Sequence, residues 1–109
     1  MSDQVPEVTV EELKRAMDEG RKPFLLDVRE PHELRLSKLD YDAHIPMDLV
    51  EARLAELDPD AEIVVICRTG NRSGTITELL RSKGFANAKN LVGGMNAWAK
   101  KIDRSMRQY

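Results

Sequence analysis

The sequence predicts an α/β domain, a small parallel sheet flanked by helices on both faces. Three observations carry that expectation. The apolar runs FLLDV (24–28) and EIVVIC (62–67) are short and nearly continuous, and AKNLV (88–92) is a third short strand. They lack the alternation of a half-solvated strand and read as strands covered on both sides. Helical periodicity fills the stretches around them, giving the succession α-β-α-α-β-α-β-α. Finally, 109 residues suffice for one core and not for two, and no repeat, linker or low-complexity segment breaks the chain. One domain over residues 1–109 is expected.

The elements follow in order. Thr9 and Glu12 are spaced as a capping box; Val10, Leu13 and Met17 then share one helical face, and Gly20 stops the helix. After the first strand, EPHELRLS (30–37) reads as a short helix with Pro31 in its first turn. Asp48 and Glu51 suggest a second N-cap pair, with Val50, Leu54 and Leu57 facing the core before Asp58-Pro59 ends that helix. The second strand leads into a helix from about Arg72, marked by Ile76, Leu79 and Leu80. Gly84 stands where a left-handed cap belongs, and Phe85 is placed to pack back on Leu80. GGMNAWAKKID (93–103) opens a last helix with Met95, Trp98, Ala99 and Ile102 on one face.

Composition narrows the function classes. The chain is 41% hydrophobic and 33% charged, as in ordinary globular domains, and no run approaches the length of a membrane helix. The start, MSDQVPEV, lacks the basic and apolar blocks of an export signal, and a single cysteine cannot form an internal disulfide. A reducing compartment, the cytoplasm, is therefore expected. With 5% aromatics and a net charge of −2, nothing points to nucleic acid. Charge is divided unevenly: residues 1–66 carry seventeen acidic and eight basic side chains, residues 67–109 two acidic and nine basic. The cysteine opens the basic half, where a positive field attracts small anions.

That cysteine, Cys67, ends the second strand and is followed by Arg68, Thr69, Gly70, Asn71, Arg72 and Ser73. Free cysteines most often serve as small hydrophobes. Here the charged, hydroxylated, glycine-containing loop and the helix after it argue for reactivity. Several backbone N–H groups should turn inward there, joining the free N–H groups of the helix start to make an anion nest. The nest, the helix dipole and Arg72 favour a thiolate. Ser73 is expected to cap the following helix. Asp27 and Arg29 follow the first strand on the same sheet edge and are expected to pair and brace the loop. His32 and His44 are not needed as bases, Trp98 reads as core, and one cysteine with two distant histidines makes a metal site improbable.

At CRTGNRS (67–73), with four residues between Cys67 and Arg72, the chain resembles the active-site loop of the rhodanese family, the single-domain sulfurtransferases. LLDVREPHEL (25–34), LAELDPDAEIVVICRTGNRS (54–73) and GFANAKNLVGGMNAWAKKID (84–103) are similar to the family's signatures, so the likeness covers nearly the whole chain. The resemblance implies ping-pong sulfur transfer without a cofactor. A small anionic donor such as thiosulfate gives its outer sulfur to Cys67, and a thiol, cyanide or a protein acceptor removes it. It also implies that Arg72 stabilises negative charge and that the backbones of residues 69–72 cradle the sulfur, while Arg68 is placed either to attract the donor or to point to solvent. The segment SKLDYDAHIPM (37–47) departs from the usual turn, with Asp40-Tyr41 where Pro-Gly is common, and leaves Tyr41 a candidate for the entrance.

Two other readings compete. A sulfur-relay module would exchange persulfide with protein partners, as in molybdopterin, thiamine or tRNA thiolation; the tail KKIDRSMRQY (100–109) is similar to that of rhodanese domains fused to adenylating enzymes. Phosphatases and arsenate reductases of related fold use five residues between cysteine and arginine, and the shorter loop here suits a sulfur atom better.

Overall fold

A computed structural model describes residues 5–109. Five parallel strands form one sheet in the order β1-β5-β4-β2-β3, comprising β1 (Glu7–Val8), β2 (Phe24–Asp27), β3 (Ala43–His44), β4 (Ile63–Ile66) and β5 (Ala88–Leu91). Three α-helices, α1 (Val10–Asp18), α2 (Asn71–Ser82) and α3 (Gly94–Lys101), pack on it, together with short 3₁₀ segments. The α/β class and the parallel sheet are as the sequence predicts.

The continuous apolar runs are apolar because both sheet faces are covered. Along β2 and β4, Leu25, Val64 and Ile66 turn to a cluster with Val10 and Leu13 of α1 and Met95 and Trp98 of α3. Their neighbours Leu26, Ile63 and Val65 turn to the opposite cluster, with Ile76 and Leu80 of α2 and with Val50, Leu57 and Phe85. Trp98 is core, as expected.

The predicted punctuation recurs in detail. Thr9 and Glu12 form the reciprocal capping box of α1. After α2, Gly84 adopts φ +96° and the Phe85 amide returns to the Leu80 carbonyl at 3.0 Å. Three expectations need correction. The segments Pro31–Arg35 and Glu51–Glu56 are 3₁₀ rather than α-helical, the second kinked at Arg53. Asp48 makes no side-chain cap; it sits in a separate 3₁₀ turn, Met47–Leu49. Two strands, β1 and β3, carry no apolar run at all. Each has two residues and is held by its neighbour, β1 on β5 and β3 on β2.

The functional consequence lies at the carboxyl ends of the central strands. β2 delivers Asp27 and Arg29 there, β4 delivers Cys67, and β5 delivers Asn90 and the Gly93-Gly94 pair. Parallel strands with helical crossovers concentrate chemistry at that edge.

Candidate active site

Cys67 is fully buried at the end of β4. Its Sγ accepts a hydrogen bond from the Gly70 amide at 3.0 Å and lies 3.2 Å from the Ser73 hydroxyl. Gly70 occupies the N-cap position of α2 with φ +103°, a conformation that side-chain-bearing residues rarely adopt. This turn points its amide back at the sulfur. The first N–H groups of α2 have no intrahelical partners and leave the positive end of the helix beside the thiol.

What holds the loop open comes from α3. The amides of Met95 and Asn96 donate to the carbonyls of Cys67 at 2.9 Å and of Arg68 at 3.0 Å. Because each peptide unit is planar and trans, fixing those carbonyls toward α3 turns the N–H groups of Arg68 and Thr69 the other way. The approach is close enough to require glycine: a Cβ on Gly94 would lie 2.3 Å from the Cys67 carbonyl oxygen. The glycine pair quoted from the sequence thus belongs to the site as a backbone clamp.

Ser73 lies in the first turn of α2 and is not its cap. It is buried, and its hydroxyl donates to Asn90 Oδ1 at 2.5 Å while facing the thiol. Asn90 in turn donates from Nδ2 to the Gly70 carbonyl at 3.0 Å. One amide on β5 therefore fixes both the serine beside the sulfur and the glycine whose amide contacts it. Among the described residues the Gly70 amide is the single backbone donor within reach of Sγ, fewer than the several expected.

The charged side chains form a second layer. Asp27 and Arg29 do pair, at 2.9 Å, and the pair is fully buried rather than exposed. Arg29 also donates to the Ser37 carbonyl at 2.7 Å and to the Tyr109 hydroxyl at 2.8 Å. Arg72 turns onto Glu33 in a two-pronged pair, Nη1–Oε2 2.7 Å and Nη2–Oε1 2.8 Å. The Arg72 hydrogen bonds hold the Glu33 carboxyl down to about 2, although burial opposes this. Glu33 raises the pKa of Arg72 in return. The Tyr109 hydroxyl closes the network by donating to Glu33 Oε1 at 2.9 Å. Burial raises the Tyr109 pKa, so the phenol stays protonated and able to donate.

The remaining predicted residues lie on the rim. Thr69 and Asn71 are exposed. Arg68 is exposed too, its Nε donating to the Tyr109 backbone oxygen and its guanidinium lying 5.4 Å above the Tyr109 ring. His44 contacts the Arg29 carbonyl at 2.7 Å, and Tyr41 tilts against the His44 ring while packing on the α1–α3 cluster. Among the described residues no three metal-ligating side chains converge, and no helix is long and apolar enough to cross a membrane.

Glu33, Asn90 and Tyr109 escape sequence reasoning. Asn90 leaves a trace, a buried polar residue on a strand three positions before the glycines. Glu33 looks like any helix-start acid, and Tyr109 stands thirty-seven positions from the arginine whose partner it holds.

The site can be set beside known proteins. Residues 9–101 match the rhodanese-like domain. The maize adenylyltransferase and sulfurtransferase MOCS3-2 is 36% identical over 109 residues, covering 94% of this chain and 23% of that protein; the chain thus spans about a quarter of that relative's length. A sulfurtransferase of Allochromatium vinosum is 31% identical, covering 88% of this chain and 90% of that one. Among solved structures, the human single-domain sulfurtransferase TSTD1 superposes with a TM-score of 0.76 at 28% identity, covering 88% of this chain and 96% of that one.

Proposed function

Because the chain belongs to the rhodanese-like domain family, we propose that it transfers sulfane sulfur through a persulfide on Cys67. The observation that carries this reading is the placement of Sγ, 3.0 Å from the Gly70 amide, at the positive end of α2 and in a loop clamped by α3. A thiolate formed there attacks the outer sulfur of a donor such as thiosulfate. The Cys67–sulfur bond forms, the donor's sulfur–sulfur bond breaks, and sulfite leaves with the electron pair. The terminal persulfide sulfur keeps one negative charge and rests against the loop N–H groups. An acceptor thiolate or cyanide then takes that sulfur, and Cys67 departs as thiolate. Charge balances at each step, and no cofactor enters. With one cysteine in the sequence, the acceptor comes from outside the chain.

Arg68 draws the anionic donor. Arg72, held by Glu33, contributes charge at a fixed position. Asp27 and Arg29 support the frame, and Thr69, Gly70, Asn71 and Ser73 shape the cradle. A lone thiol without a partner suits the reducing cytoplasm.

A relay between proteins is a second reading, favoured by the maize relative, whose name joins adenylyltransferase to sulfurtransferase. One experiment separates the two. Reduced protein is incubated with thiosulfate, freed of donor and weighed intact beside Cys67→Ser. A gain of one sulfur, discharged by cyanide and absent in the variant, is the expected result. Loading only from a persulfide-bearing protein identifies the relay. Loading from neither source overturns the sulfurtransferase reading.

A further inference from the structure

After α3 the chain reverses at Asp103, where the Asp103 amide bonds to the Trp98 carbonyl and the Met106 amide to that of Asp103. Met106 packs on the α1–α3 cluster, but Arg104, Ser105, Arg107 and Gln108 are exposed. A cleft of about 360 Å³, lined by Ala99, Lys100, Arg104 and Gln108, separates this tail from α3. The tail is therefore anchored at Asp103, through Met106 and at its far end, with exposed residues between these points.

Its far end is tied to residues on three elements around the Cys67 loop. The Tyr109 backbone amide and oxygen pair with the Asn96 side chain at 3.0 and 2.8 Å, at the start of α3. The Tyr109 oxygen and ring engage Arg68, the residue after the thiol. The hydroxyl reaches Arg29 and Glu33, beyond β2. Cys67, next to Arg68, is itself fully buried.

We infer that Tyr109 is a specificity-determining residue of this site: with Asn96 it latches residues 103–109 across the mouth above Cys67, and a donor reaches the thiol only by displacing that latch. The chemistry of the latch selects the displacer. Arg68 offers one guanidinium, which Tyr109 occupies through its backbone oxygen and ring. A small dianion competes for that guanidinium far better than a neutral molecule of the same size, because its charge meets Arg68 directly. Anionic donors therefore open their own path, while neutral thiol reagents wait for the tail to lift. The donor's identity rests on the sulfur-transfer reading; the cover itself does not.

The lone cysteine makes the test direct. Cys67 alkylation by iodoacetamide, a neutral probe, is timed in the intact chain, in Tyr109→Ala, in Tyr109→Phe and in Asn96→Ala. Tyr109→Ala should react about tenfold faster than the parent, the scale set by losing hydrogen bonds to charged groups. Tyr109→Phe, which keeps the ring under Arg68, should fall between, and Asn96→Ala should accelerate as well. A tail that lifts exposes little surface, so these rates should depend only shallowly on low urea; steep dependence marks global unfolding and counts against the latch. Parental rates in both alanine variants, with native melting curves, overturn the inference. The readout needs no sulfur chemistry, so tail-sensitive alkylation without persulfide loading would remove the transfer reading and leave the latch standing.

Discussion

Replacing Glu33 by glutamine isolates the ion pair that fixes Arg72. The carboxyl is depressed from 4.5 to about 2, with the Arg72 hydrogen bonds as the leading cause. Because the folded value lies below the unfolded one, the stabilisation is fully present above about pH 4.5 and is lost as pH falls toward about 2. At 1.36 kcal/mol per unit the displacement corresponds to about 3 kcal/mol. The Arg72 side chain is 32% exposed, so solvent screening leaves about 2 kcal/mol as the working figure. In a domain of this size that lowers the melting temperature by about 8–12 °C at pH 7. Melting or urea unfolding of both proteins from pH 7 to pH 2 reads the effect. The parent should lose about 2 kcal/mol more than Glu33→Gln between pH 4.5 and 2, and the two curves should converge at the acid end. Parallel curves through that window would refute the reasoning, since the pair would then contribute nothing that titrates.

Other changes test the loop's supports. Gly94→Ala drives a methyl group into the Cys67 carbonyl at a backbone angle of φ +56°, and should cost at least about 2 kcal/mol in unfolding and abolish persulfide loading. Asn90→Ala removes the partners of the Ser73 hydroxyl and the Gly70 carbonyl together, with an expected loss of about 2 kcal/mol; single-turnover loading should slow while Cys67→Ser stays inert. Asp27→Asn leaves the buried Arg29 guanidinium without its counter-charge and should destabilise by about 3–5 kcal/mol, measured by chemical unfolding.

The parts that burial dictates were legible in the sequence. The strands at 24–27 and 63–66 carry nearly continuous apolar runs because two layers of helix cover them, and α1 carries its capping box in plain view. Strands β1 and β3 were not legible, because a two-residue strand owes its state to the ladder beside it and not to its own side chains. The 3₁₀ turns share the apolar spacing of an α-helix over so short a span, so Val50 and Leu57 point inward either way. At the site, the loop Cys67–Ser73 is local and declares itself. Glu33, Asn90 and Tyr109 act through contacts across the fold, and a glutamate or an asparagine looks the same in sequence whether it meets an arginine or water.

The α3 clamp also orders events in time. Cys67 is synthesised well before Met95 and Asn96, whose amides fix its loop. At about 5–20 residues per second the thiol leaves the ribosome a few seconds ahead of the groups that give it a cradle. During that interval the cysteine sits on an unfinished sheet, without the clamped carbonyls or the Gly94 contact. The cradle is thus completed only with the closing helix, and a chain that stalls or misfolds before that point carries Cys67 without it.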